Sequence, residues 1–227
     1  IYRSAMPVFE DVVLLPVSTD EQTMVQHLAW IALGTLHYEL DNLQLAIEAY
    51  QNVPQDSEFF ADALVQICWA YIRLGVLAAS DELARPEDAR RVARENFQRA
   101  YRTIDLFLLA FPEDTREAEL KLLMAHLQVK LEEYQEALDD YESVVEDFDA
   151  IRARLNHIVQ SDIDPMVYFN QLVDQTFIVE AEYQVPELAA RMARQDPRLN
   201  EAVEIASDLQ HETREIDASQ ETVARLE

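Results

Sequence analysis

The residues of this sequence that most clearly suggest binding chemistry are its arginines, because six of them fall between residues 85 and 102. The whole chain carries 44 acidic and 18 basic residues, a formal charge of −26, so this segment is the exception. An arginine can hold a carboxylate or a phosphate with two hydrogen bonds. The segment is therefore either a docking helix that offers Arg90, Arg91 and Arg94 to an acidic partner, or a helix that neutralises the protein's own acidic surface.

No catalytic or metal-binding constellation is predicted. The five histidines never occur at the three- or four-residue spacing that places two metal ligands on one helix face. The single cysteine, Cys68, occupies a small-residue position of an apolar helix, where its thiol is expected to be buried and inert. Adjacent acids such as Asp139 and Asp140 point to different helix faces, which fits a solvated surface better than acid–base catalysis. We expect no enzyme activity, no metal and no cofactor.

The composition narrows the class of partner. The chain has 2 glycines, which excludes the glycine-rich loops that hold nucleotide phosphates. Its negative charge repels nucleic acid and anionic lipid head groups. No stretch approaches the ~18 apolar residues of a membrane span, so direct membrane insertion is not expected. A protein or a peptide remains as the expected partner.

Nearly the whole chain is typical of helices, with apolar residues three and four positions apart. The opening residues 1–20 are the exception, because Pro7 and Pro16 interrupt them, and they predict an irregular segment or the end of a missing helix. Residues 18–20 then offer an N-cap for a helix that runs to about Leu40. The chain begins at Ile1 rather than methionine, so we expect a processed or truncated piece of a longer protein.

An internal repeat extends over a little more than half of the chain, from about residue 27 to residue 150. A pattern of large, large, small and large residues recurs 34 positions later. Each occurrence is followed by residues typical of a turn, at Asp41-Asn42 and at Gly75. A small residue followed by large ones at the fourth and seventh positions lets a second helix lie close against the first. The two occurrences are Trp30, Leu33, Gly34, His37 and Leu64, Ile67, Cys68, Tyr71; the small residues of the second helices are Ala46, Ala100 and Ala137.

This pattern resembles the tetratricopeptide repeat, a helix–turn–helix unit of 34 residues, over residues 27 to 150. The resemblance implies an all-α fold: a short tetratricopeptide-like helical solenoid of about three helix pairs, extended by C-terminal helices. The interval from Ala46 to Ala100 exceeds one repeat and implies a 20-residue insertion at about 76–95. One long, projecting helix is expected from about Pro86 to Leu109. The expected segments are 1–20, irregular; 21–150, repeats; 151–197, additional helices; and 198–227, a C-terminal helix.

The resemblance also implies a binding surface, because the first helix of each unit in this family lines a concave groove that holds a partner. Trp69 is either an aromatic anchor for the partner or a tryptophan packed against a neighbouring helix. Arg73 and Lys130 are placed to read a carboxylate together. The implied groove residues are Thr35, Tyr38, Trp69, Arg73, His126 and Lys130.

The C-terminal segment 198–227 has an apolar seam that is interrupted by the polar residues Thr213 and Gln220. This pattern predicts either a helix that caps the bundle or a coiled coil.

The predicted function is a non-enzymatic scaffold or adaptor for a protein or peptide partner. The alternative is a structural oligomerisation module in which the repeats cap a C-terminal coiled coil, which gives a homo-oligomer. A resemblance to bacterial envelope-associated tetratricopeptide proteins implies a periplasmic or envelope location, with the cytoplasm as the alternative.

Overall fold

The structure is a computed structural model that describes residues 2–112, 114–161, 165–173, 184–199, 201–202 and 205. These residues are all-α, with no strand among them. The chain divides into two compact units, 1–144 and 145–227, and one helix crosses the boundary. The helices are α1 (Tyr2–Leu14), α2 (Asp20–Glu39), α3 (Leu43–Gln51), α4 (Phe60–Ala79), α5 (Pro86–Ala110), α6 (Glu117–Lys130), α7 (Tyr134–Gln160), α8 (Pro165–Val173) and α9 (Glu187–Arg194).

Helix α1 shows that the expectation of an irregular N-terminal segment is wrong. It is helical although Pro7 lies inside it and removes one backbone donor. It packs against α2, and the Gln26 amide of α2 donates to the carbonyls of Val13 and Leu15, at 2.9 and 3.2 Å. These bonds satisfy carbonyls that a helix end otherwise leaves unpaired. Tertiary contacts therefore offset the cost of the proline.

Helix α2 begins and ends as its sequence predicts. The Thr19 hydroxyl accepts a hydrogen bond from the Gln22 backbone N–H at 3.3 Å, and the Gln22 side chain accepts one from the Ser18 N–H at 2.9 Å. This reciprocal arrangement satisfies donors at the helix start. After the helix ends, Asp41 takes a left-handed conformation with φ of 60°, which confirms the predicted turn.

Both glycines are packing positions rather than turns. A Cβ built on Gly34 would lie 2.4 Å from Cε1 of Tyr50 in α3, and one built on Gly75 would lie 2.5 Å from Cε1 of Phe97 in α5. The predicted turn at Gly75 is therefore wrong, since this residue lies inside α4. Its missing side chain lets an aromatic ring of the next helix rest on the α4 backbone.

The packing of α4 against α5 shows that the prediction of a projecting insertion is wrong. The Phe60 and Phe111 rings lie 6.3 Å apart at one end of the pair, while Gly75 faces Phe97 near the other. The two helices are thus antiparallel neighbours over most of their length. The residues of 76–95 extend both helices around a short loop, and Ala89 and Ala93 are buried. The long helix itself starts at Pro86 as predicted.

Helix α4 contributes to two hydrophobic clusters. One contains Ala63 and Ile67 with side chains of α3, and the other contains Leu64 and Cys68 with side chains of α5 and α6. Cys68 is buried as predicted, and burial raises the pKa of its thiol to about 12, so the nucleophilic thiolate is disfavoured.

The hydropathy of α4 also corrects the statement that no stretch approaches a membrane span. Among the described residues, Phe60–Ala79 is long and apolar enough by this criterion, with a mean hydropathy of 1.4 over its most apolar window. One third of that window is buried within the protein, and the core helix of a folded domain passes the same test of length and composition.

A two-carboxylate clamp around Arg116 joins the start of α4 to the segment between α5 and α6. The guanidinium lies 2.6 Å from Oδ1 of Asp62 and 2.8 Å from Oδ2 of Asp114, and it covers the Phe107 ring at 5.1 Å. Hydrogen bonds from the Arg116 side chain hold the pKa of the Asp114 carboxyl below its usual value. Ionised Asp114 therefore favours the folded state.

The depressed pKa of Asp114 predicts a dependence of stability on pH. Its contribution should be fully present above the unfolded-state value near 3.8 and should be lost as the pH falls through the lower folded-state value. We expect Asp114→Asn to lower the unfolding free energy at pH 7 by about 1 kcal/mol, after allowance for solvent screening. This difference should shrink below about pH 4 in urea titrations. Asp105→Asn, an exposed change on α5, is the control for the general effect of removing one carboxylate.

The second unit is described in part. Helix α8 begins at Pro165 as predicted and packs against α9, and the Ser161 and Tyr168 hydroxyls share a hydrogen bond of 2.7 Å. Ala190 of α9 is buried. The predicted C-terminal helix of 198–227 lies outside the described residues, apart from 198–199, 201–202 and 205.

Candidate functional site

Helix α4 exposes an apolar stripe at the edge of the cluster that it shares with α5 and α6, against which Ile72 packs. Trp69 is 40% exposed and Val76 is 50% exposed, and the partly buried Ile72 lies between them. Positions separated by three and seven residues lie on one helix face. The expected groove residue Trp69 is thus accessible to a partner. We call Trp69, Ile72 and Val76 the α4 stripe.

Three of the expected groove residues are engaged within the protein. The Thr35 hydroxyl donates to the carbonyl of Ile31 at 2.9 Å and lies 3.2 Å from the Tyr50 hydroxyl. Arg73 pairs with Asp41 at 2.5 Å, and its guanidinium lies 4.9 Å from the centre of the Tyr38 ring. The pair between Arg73 and the turn after α2 fixes α4 to α2, so Arg73 is not a free cation for a ligand.

The remaining expected groove residues lie on α6. His126 is exposed, and its neighbours Leu122 and Val129 are 42% and 37% exposed. Lys130 is the last residue of the helix and is exposed. It does not share a site with Arg73, whose charge Asp41 already balances.

Lys130 instead lies beside the arginine-rich helix. A cleft of about 580 Å³ opens between the end of α4, the first half of α5 and the turn after α6. Its basic side chains are Arg90, Arg94 and Lys130, which sequence reasoning had assigned to two different surfaces. We call this the basic cleft. The other lining residues are Val76, Ala79, Ser80, Ala93, Phe97, Leu131 and Glu132.

Four of the six arginines between residues 85 and 102 separate into two sets. Arg91 lies 2.9 Å from Glu95, and Arg85, just before α5, lies 3.0 Å from Asp88, so these two neutralise acids of α5. Within the described part of the chain, Arg90, Arg94 and Lys130 form no ion pair. Arg85 and Arg91 thus fit the interpretation that this segment neutralises the protein's own acidic surface. Docking through Arg90 and Arg94 stays a prediction, and Arg91 does not line the cleft that holds them.

The placement of Arg90 and Arg94 follows from helix periodicity. Residues four apart share a helix face, and two like charges at that spacing destabilise a helix by about 0.2–0.5 kcal/mol. Ala93 and Phe97 lie in the same cleft and give the arginine stems an apolar surface to follow. The protein thus concentrates positive charge on one face, and Glu132 is the acid that lines the cleft.

Sequence reasoning missed the cleft because its parts are distant along the chain. The spacing of Arg90 and Arg94 was a readable signal, since it predicts one shared face. Nothing local indicated that Val76 and Lys130 would meet that face. Their approach depends on the antiparallel packing of α4 against α5 and of α5 against α6.

The described residues form no cluster of three or more side chains that could hold a metal ion. The basic cleft combines cations with apolar walls and its hydroxyl comes from Ser80, whose Oγ lies 3.0 Å from the Val76 carbonyl oxygen. This arrangement can bind an anion that also carries an apolar group. No family model matches the chain, and comparison with curated proteins and with solved structures also found no match.

Proposed function

We propose that this chain is a non-enzymatic adaptor that binds a protein partner along the α4 stripe, within a tetratricopeptide-like helical solenoid. Two features support the repeat arrangement. From α1 to α6, consecutive helices pack against one another, as α1 with α2 and α5 with α6. Two successive pairs repeat one contact, in which a glycine of the first helix lies under an aromatic ring of the second, Gly34 with Tyr50 and Gly75 with Phe97.

The observation that carries the proposal is the exposure of Trp69. A tryptophan that is 40% exposed beside Val76 leaves apolar surface in water, although the apolar clusters that flank the same helix are well packed. Tryptophan is the residue type most enriched among those that dominate binding energy at protein interfaces. A partner that covers the stripe would remove this surface from water.

The envelope location belongs to the same proposal and rests on the family resemblance. The alternative, an oligomerisation module, depends on the seam in 198–227, most of which lies outside the described residues. The adaptor function has the stronger support because its surface consists of described side chains.

We expect Trp69→Ala to weaken the partner about thirtyfold, corresponding to ~2 kcal/mol, because it removes an aromatic anchor. The partner can be captured by a photo-crosslinking amino acid at position 69, with the 82% exposed Leu109 as the control position. Binding is then measured by calorimetry, and folding by urea denaturation. The unfolding free energy should change by less than about 0.5 kcal/mol, as for most surface substitutions.

Two results would contradict this assignment. A partner that crosslinks equally well from positions 69 and 109 does not recognise the α4 stripe. If Trp69→Ala unfolds the protein, the indole belongs to the core and its exposure carries no functional meaning.

A further inference from the structure

We infer that the basic cleft is the docking site for an acidic, extended segment of the protein partner, with carboxylates at Arg90, Arg94 and Lys130. This inference rests on the proposed adaptor function and specifies the chemistry of what is bound. The cleft supplies three cations that form no ion pair with a described carboxylate, against one lining acid, Glu132, in a chain whose formal charge is −26. Positive charge is therefore concentrated in the cleft, while the protein as a whole is acidic. Such a cleft favours a ligand whose negative charges are concentrated in a short stretch.

The junction between α2 and α4 shows how an equivalent charge is balanced within the protein. There, Arg73 of α4 approaches the turn after α2 and is paired with Asp41. At the next junction, Lys130 of α6 approaches the end of α4, lined by Val76, Ala79 and Ser80. Two more cations line that place, and Glu132, the one described acid that lines it, forms no ion pair with them. The missing negative charge is what the partner would supply.

The α4 stripe leads directly into the cleft, because Val76 belongs to both. Trp69 and Val76 are seven residues apart, which corresponds to about 10 Å along a helix at 1.5 Å per residue. An extended peptide covers that distance with about three residues. A ligand that places an apolar side chain on Trp69 would therefore present its carboxylates about three residues further on.

The walls of the cleft favour a peptide over a free phosphate or a nucleic acid. Phe97, Ala93 and Leu131 give the cleft a largely apolar lining, which a small inorganic anion cannot use. A nucleic acid would bring its extended negative charge against the acidic surface outside the cleft. Arginine forks match the planar carboxylates of aspartate and glutamate.

The test uses the full chain and a set of fluorescent peptides in a glycine–serine background. Each peptide carries one leucine and two adjacent glutamates, the separation is varied, and each has a twin with glutamine in place of glutamate. Anisotropy should show the tightest binding at a separation of about three residues, with the glutamine twin at least tenfold weaker. Affinity should fall as salt is raised, since exposed charge contacts are screened over ~8–10 Å at physiological ionic strength.

The double variant Arg90→Gln with Arg94→Gln should weaken the best peptide at least tenfold, because each arginine contributes a charge-assisted bond. Arg102→Gln is the control: it lies on the same helix, is exposed and outside the cleft, and removes one positive charge, as each single change in the cleft does. Thermal melts establish that all variants fold. Rescue of part of the affinity by Arg94→Lys in place of glutamine would show that charge at this position acts on the ligand.

Several results would overturn the inference. If no peptide binds better than its glutamine twin, or if the double variant binds as Arg102→Gln does, the cleft does not recognise carboxylates. Displacement by inorganic phosphate as effective as by peptide assigns the cleft to a free anion. Self-association that the double variant abolishes, seen by sedimentation, assigns it to a second copy. In each case the adaptor function stands if Trp69→Ala still weakens binding of the partner that was captured by crosslinking. It fails separately if that variant binds this partner normally.

Discussion

Gly34→Ala should lower the free energy of unfolding by about 1–3 kcal/mol, as expected for overpacking of a close-packed core. Helix propensity alone predicts the opposite sign, because alanine in a helix interior is favoured over glycine by about 1 kcal/mol. The added Cβ would lie 2.4 Å from the ring of Tyr50, which is 1% exposed and whose hydroxyl lies 3.2 Å from that of Thr35. The ring therefore cannot move aside without loss of packing. Urea denaturation of both proteins measures the sign.

The second glycine offers a replicate and a rescue. Gly75→Ala should behave in the same way, because its Cβ would meet the buried Phe97 ring at 2.5 Å. Combining Gly75→Ala with Phe97→Leu should cost less than the sum of the two changes, since the smaller side chain makes room. Ser143→Ala, an exposed helical change, controls for propensity. A stabilised Gly34→Ala protein would show that α2 and α3 do not pack this closely.

Phe107→Ala should destabilise the first unit by about 3–5 kcal/mol, the range for deletion of a buried aromatic ring. Phe107 is 1% exposed, lies 5.2 Å from the Phe111 ring and is covered by the Arg116 guanidinium. Its removal leaves a cavity in the cluster shared by α4, α5 and α6. Chemical denaturation followed by circular dichroism measures the loss, and Phe107→Leu should cost less because it retains part of the volume.

A matched surface change lies two residues along the same helix. Leu109 is 82% exposed, so Leu109→Ala should change stability by no more than about 0.5 kcal/mol. If the two alanine variants are equally stable, Phe107 does not fill the core of the α4–α5–α6 cluster. The comparison also bears on the basic cleft, because the same cluster holds Ala93 and Phe97 of α5 in place beneath Arg90 and Arg94.

Several local features could be predicted because they depend on residues close together in the chain. The N-cap at Thr19, the proline start of α5 and the turn at Asp41 are set by hydrogen bonds and backbone preferences within a few positions. Burial of Cys68 followed from its place in an apolar periodicity. For residues 1–20 the sequence predicts either an irregular segment or the end of a missing helix. Helix α1 forms there because contacts with α2 outweigh the local effect of Pro7.

The candidate site was predictable only in fragments. Periodicity placed Arg90 and Arg94 on one face of α5, and the resemblance singled out Trp69 and Lys130. Which charges stay unpaired could not be read from the chain, because Arg73 is neutralised by Asp41, which lies more than 30 positions earlier. The pair between Arg73 and Asp41 forms because the tertiary structure places the turn after α2 beside α4.

The sequence by itself determined the all-helical class, the acidic charge and the positions of most helices, since these arise from composition and from periodicity along one helix. Only the tertiary structure decided what each exceptional residue does. Gly75 became a packing surface instead of a turn, because the Phe97 ring rests on it. Lys130 lies in the same cleft as Arg90 and Arg94, because the packing of α4, α5 and α6 places the end of α6 beside the end of α4. Contacts between residues far apart in sequence fix these outcomes, and no local preference encodes them.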